Sequence, residues 1–132
     1  MMEKKTNYQL STSVNEGILE IVIAGEVTES TVNRLHTDVI TIIQEKKPRA
    51  LLIDISALKG CYEDFVAAYF RVRSIPPDVQ KLPSAVVDLS KNVAFQSFYE
   101  TTAANVGQSV KWFTDIETAR AWLKSRLQKS YD

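Results

Sequence analysis

A single cysteine, Cys61, stands in 132 residues, so an internal disulfide is excluded and a reducing, cytoplasmic setting is expected. Glycine is equally sparse: four residues, at 17, 25, 60 and 107, too scattered to build a phosphate-cradling loop. There is one histidine, His36, and no Ser or Cys with the surroundings of an activated nucleophile. Neither sign of charge is in excess. Sixteen basic side chains balance sixteen acidic ones, which removes the surplus that generic nucleic-acid binding draws on. No apolar run approaches the roughly 20 residues of a membrane span. Met1-Met2-Glu3-Lys4-Lys5-Thr6 leads into no apolar stretch of the secretory type, and no leader is expected.

What is present is ordinary globular composition, 45% hydrophobic and 24% charged, at a length that can bury a core without metal or disulfide staples. Tyr8–Val14 alternates apolar and polar residues, Asn15-Glu16-Gly17 is turn chemistry, and Ile18–Ala24 is β-branched and apolar. The three together predict a hairpin. From Thr28 the period becomes helical through Val32, Leu35, Val39, Ile42 and Ile43. Thr28 or Ser30 is the expected cap, Lys46-Lys47 lie in the last turn, and Pro48 stops the helix.

Ala50–Ile55 is apolar at nearly every position, as a strand covered on both faces requires. After Gly60 a helical stripe runs through Tyr62, Phe65, Tyr69 and Val72 to Ile75-Pro76-Pro77. A strand follows around Ala85-Val86-Val87-Asp88, and Ser90 is expected to cap a helix burying Phe95, Phe98, Tyr99, Thr102 and Val106. Val110-Lys111-Trp112-Phe113 is the last strand. Thr114-x-x-Glu117 has the form of a capping box opening a terminal helix through Ala119, Trp122, Leu123 and Leu127. The expected architecture is α/β: a five-stranded mixed, mostly parallel sheet in the order ββαβαβαβα with about four helices. Residues 1–6 and 129–132 are expected to be tails, the first disordered, around one domain at 7–128.

That order, the strand ending Leu52-Ile53-Asp54-Ile55-Ser56 and the closing segment Phe113-Thr114-Asp115-Ile116-Glu117-Thr118-Ala119-Arg120-Ala121-Trp122-Leu123 resemble the STAS/CRAL-TRIO-like family. Within it the chain is most similar to small bacterial proteins related to anti-sigma-factor antagonists, over about Asn7 to Leu127. The resemblance implies a sheet wound mostly in sequence with its first strand antiparallel at one edge. It also implies a regulatory Ser in an Asp-Ser-Ser-Gly turn opening the helix after the Asp-bearing strand. Here Tyr62-Glu63-Asp64-Phe65 occupies that region. Two carboxylates stand where the serines and glycine would be, which argues against a kinase-driven switch at that position.

Asp54, Asp88 and Asp115 each close or follow a strand, so the winding brings them to one end of the sheet, where they act either as caps and turn formers or as an acid or metal cluster. No tight ligand spacing accompanies them, and no metal, cofactor or catalytic residue is expected. Glu63 and Asp64 suit a helix N-terminus, Cys61 suits close packing, and His36 lies one position off the apolar stripe of its helix.

The second helix carries more apolar matter than one core stripe needs, in Tyr62, Phe65, Val66, Tyr69 and Phe70. With the strand end Asp54, Ser56, Lys59 and Gly60, the residues Tyr62, Phe65, Tyr69 and Phe70 form the candidate binding surface. It would serve a protein partner or, as the CRAL-TRIO side of the resemblance implies, a small lipid-like ligand. Arg71, Arg73 and Lys81 beside it would suit anionic head groups in a peripheral membrane contact. Crossovers winding in one direction place their helices on one face. The other face then needs a terminal element or a second subunit, which raises the expectation of a homodimer. The competing functional class is a small hydrolase or transferase using the strand-end carboxylates.

Overall fold

The computed structural model describes residues 7–28, 30–59, 73–88 and 93–129. Two antiparallel strands open the fold, β1 (Tyr8–Asn15) and β2 (Ile18–Glu26), joined by Glu16-Gly17. Both turn residues have positive φ, 56° and 82°, the signature of a type I′ turn, whose twist matches that of the strands it joins. Helix α1 (Val32–Lys46) follows, then β3 (Ala50–Asp54), the two-residue β4 (Leu58–Lys59), and the single-turn helix α2 (Pro77–Gln80). Beyond it come β5 (Ser84–Val87), α3 (Val93–Asn105), β6 (Val110–Phe113) and α4 (Ile116–Lys129).

The sheet runs β1-β2-β3-β5-β6, with β4 pairing the end of β2. Every pairing but β1–β2 is parallel. The expected winding and the antiparallel first edge are therefore present, and β4 adds a sixth strand. β3 lies between β2 and β5, and Ala50, Leu51 and Leu52 are all but inaccessible. That is the reason for its apolar run: a strand covered on both faces has no position to give to water.

Strand alternation sorts the core into two layers. Leu19, Ile21, Ile23 and Leu51 meet Leu35, Val39 and Ile43 of α1 together with Ile75, Val79 and Leu82 around α2. Ile18, Ala50, Leu52, Ala85 and Val87 meet Ala119 and Leu123 of α4 on the opposite face. Trp112 belongs by register to the α1 side and packs edge-on against Tyr99 of α3, ring centroids 5.0 Å apart. Phe113, one residue on, faces Trp122 of α4 at 5.6 Å. The helix after the last strand has no further strand to reach, so crossover handedness does not hold it to the face of the others. Of the two covers anticipated for that face, the terminal element is the one found over β3 and β5.

Three details tie the layers together. The carboxylate of Glu20, 8% exposed on the α4 side of β2, accepts two bonds from Arg120: Nε at 2.7 Å and NH2 at 2.9 Å. Gly25 (φ 99°) is needed because a Cβ there would strike the carbonyl oxygen of Asn7 and the Cα of Tyr8. Tyr8 Oη donates to Asp38 Oδ2 at 2.8 Å, pinning the start of β1 to α1.

Two cap assignments change. Thr28 and Ser30 do not cap α1. The residue before it is Thr31, whose hydroxyl accepts instead from the Thr28 amide at 2.9 Å, closing a turn ahead of the helix. At α4 the cap is Asp115, not Thr114: its Oδ2 accepts from the Thr118 amide (2.8 Å) and hydroxyl (2.7 Å). An ionised acceptor at the position that reaches the third helical amide displaces the neighbouring hydroxyl. Those same bonds, the hydroxyl's first, lower the pKa of Asp115.

Two consequences are measurable. Arg120→Ala strands a buried carboxylate and is expected to cost roughly 1–3 kcal/mol in urea unfolding, the usual cost of an orphaned buried group. An unchanged midpoint would mean that water replaces the guanidinium without loss. The second concerns Tyr8, whose phenol is pushed up to about 12 by burial and by the bond to Asp38. An unfolded tyrosine titrates near 10. The folded value is the higher one, so the contribution of Tyr8 is complete below pH 10 and is lost as the pH rises through about 12. The stability difference between the native chain and Tyr8→Phe should narrow across that window, and a constant difference would contradict the assignment.

Candidate interaction surface at the carboxyl end of the sheet

β3 runs parallel to β2 and β5 and releases its chain at Asp54, where a parallel sheet opens toward ligands and partners. The connection that follows is stiff. Asp54 Oδ1 accepts from the Ser56 amide at 2.9 Å and from its hydroxyl at 2.6 Å. Leu58 N donates to Ile55 O at 3.0 Å, closing the turn, and Ile55 N donates to Val87 O at 2.9 Å. β4 then docks on the end of β2, and Val27 N reaches Lys59 O at 3.0 Å. Held at both ends, residues 55–58 project Ser56 and Ala57 into solvent, with Lys59 exposed beside them.

The three strand-end aspartates do not converge. By register Asp54 lies on the face of Val87, the α4 side. Asp88 is one residue further and turns to the other side, where its Oδ2 accepts from Trp112 Nε1 at 3.3 Å and Gln96 Nε2 at 3.5 Å. Asp115 is occupied in capping α4. Each carboxylate thus has a local task in a turn, an indole contact or a helix cap. Among the described residues no group of three or more His, Cys, Asp or Glu side chains could hold a metal ion. His36 is half-buried on α1.

Of the anticipated surface, Asp54, Ser56 and Lys59 fall together on this turn. Gly60, Tyr62, Phe65, Tyr69 and Phe70 lie outside the described residues, as do Cys61, Glu63, Asp64, Val66, Arg71, Ser90 and both anticipated tails apart from Lys129, the last residue of α4. Arg73 and Lys81 are exposed. Two members of the surface were not anticipated. Ala57 is the exposed tip of the turn, and Glu26 sits in register with Lys59 through β4, exposed as well. A two-residue strand has no periodicity to read; the only available signal was a Lys and a Glu each closing an apolar run.

No family model matches the sequence, and no curated protein does so significantly. Solved structures do. An anti-sigma factor antagonist from Mycobacterium paratuberculosis superposes with a TM-score of 0.58 at 14% identity, covering 89% of this chain and 94% of that one. A serine-to-glutamate variant of RsbS from Moorella thermoacetica gives 0.58 at 16%, covering 91% and 98%. A protein of the DUF3478 family with a SpoIIAA-like fold, from Shewanella loihica, gives 0.55 at 14%, covering 93% and 98%. The chain therefore has the STAS-like fold of these proteins. No described helix is long and apolar enough to cross a membrane.

With the aspartates held apart, Mg²⁺ or Ca²⁺ at millimolar concentration should leave the melting temperature unchanged. A clear upshift would mean that they form a cation site together.

Proposed function

We propose that this chain is a non-enzymatic interaction module, cytoplasmic and regulatory, that recognises a protein partner through the carboxyl end of its sheet. The surface comprises the braced turn with Asp54, Ser56 and Lys59, continued by Gly60 and the apolar residues Tyr62, Phe65, Tyr69 and Phe70. One observation carries the reading: among the described residues, the strand-end carboxylates Asp54, Asp88 and Asp115 are each engaged in local structure. What remains there is a rigid, exposed turn of mixed polarity. Rigid presentation favours recognition, because little loop entropy is lost on binding. The shared fold supports it, since two of the neighbours are an anti-sigma factor antagonist and a form of RsbS. Self-association as a homodimer belongs to the same reading.

Native mass spectrometry of freshly purified protein separates this from its competitors. Protein assemblies without a bound small molecule are expected. An apolar adduct would indicate a lipid-like ligand, and a bound metal would reopen the hydrolase or transferase alternative. Phe65→Asp and Lys59→Glu are expected to abolish recovery of any partner that the native chain retains, with the circular dichroism of Lys59→Glu unchanged. Because Lys59 is exposed, its variant tests the surface even if Phe65→Asp unfolds the chain. Full retention of the partner by Lys59→Glu would refute the assignment of this end.

A further inference from the structure

The two edges of the sheet are finished differently. β6 is four residues long, and its outward amide at Trp112 is taken by Glu100 Oε2 at 2.7 Å. A side chain of α3 thus occupies the place a further strand would need. Among the described residues β1 has no such guard. It is eight residues long, without a charge, a proline or a glycine, the devices that usually blunt an edge. Asn7 accepts from Glu26 across the hairpin, so odd-numbered residues bond inward to β2 and the backbone groups of Leu10, Thr12 and Val14 point outward. Residues 11–15 are all exposed, and no described strand pairs with this edge. Val14, at 51%, is the large hydrophobic side chain left exposed among the described residues.

We propose that β1 is a self-association edge, where two copies pair antiparallel across a twofold axis at Thr12 and join their sheets into one. The occupant is a second copy because the strand is complementary to itself. With Thr12 opposite Thr12, Val14 of each copy lies against Leu10 of the other on the α1 side, covering the exposed side chain. Ser11 then meets Ser13 on the opposite face. An uncharged strand meets its own copy without like-charge repulsion, and an isologous contact of this kind closes at two. The inference rests on the homodimer included in the proposed function and gives it a location; partner recognition at the carboxyl end does not depend on it.

Sedimentation velocity of the full chain at micromolar to sub-millimolar concentration is the test. The native chain is expected to sediment as a dimer. Thr12→Lys and Thr12→Glu each set like charges opposite one another on the axis, and each should lose the dimer while keeping the native circular dichroism. An equimolar mixture of the two should recover it, because only a pairing of residue 12 with itself turns two repulsions into one attraction. Amide exchange on the native chain checks the same point without a substitution: Leu10, Thr12 and Val14 should be protected in a concentration-dependent manner. A native chain that is monomeric throughout overturns the proposal and leaves the recognition surface standing. So does a dimer that survives either substitution, a mixture that stays monomeric, or rapid exchange of those amides in the dimer.

Discussion

Glu20 is the buried charged residue among the described residues, and satisfying it constrains how the layers of the molecule meet. It sits within a strand whose neighbours Ile18, Leu19 and Ile21 are at most 3% exposed, on the face that three of the four described helices do not cover. A carboxylate there is tolerable only if something brings it a matched donor. Arg120 does so with a two-pronged bond, and Glu117, one turn earlier on α4, steadies the same guanidinium at 3.1 Å. The pair need not add net stability over an apolar pair of equal size. Its consequence is positional. With Arg120 over Glu20, Ala119 and Leu123 come down on Leu52, Ala85 and Val87, and Trp122 meets Phe113. The ionic contact and the apolar second layer thus agree on one placement of α4.

A sheet covered on both faces over its central strands leaves its ends and edges for recognition, and alternation decides what each presents. At the carboxyl end it turns Asp54 and Asp88 to opposite faces, which defeats a carboxylate cluster and leaves one to brace a turn and the other to hold an indole. At the edges, Glu100 closes β6, while β1 is held to the α1 layer near its start, by the Tyr8–Asp38 bond and the packing of Leu10. The uncovered half of β1, from Ser11 onward, lies where α1 no longer shields it.

Legibility in the sequence followed the range of the interaction. β3 could be read because burial on both faces writes itself into consecutive residues. α1 and α4 could be read because one face of a helix repeats every three or four positions. The caps were misjudged by one to three residues, since Thr28, Ser30, Thr31, Thr114 and Asp115 are all cap-forming types, and the choice among them rests on backbone geometry. β4 was invisible at two residues. The partnership of Glu20 with a residue 100 positions away left no local trace, and in the sequence it read as a lapse in an apolar run. At the site, Asp54, Ser56 and Lys59 were legible as a strand terminus. Glu26 and Ala57 were not, because only the docking of β4 on β2 places them there.

Geometry also decides whether the two proposed surfaces compete. β1 is antiparallel to the rest of the sheet, so its first residue, Tyr8, lies beside Gly25 at the carboxyl end, and Asn15 lies at the far end beside Ile18. An axis at Thr12 therefore passes near the middle of the strand, away from the turn at residues 55–58. Antiparallel joining of two sheets reverses their strand directions, so the two turns point opposite ways. Neither copy then covers the other's turn at residues 55–58. A dimer of this form would be bivalent, with two sites held rigidly at opposite ends of one continuous sheet. Sites that face opposite ways let one dimer join two separate partners, because a second contact to the same partner gains only where that partner can span both sites.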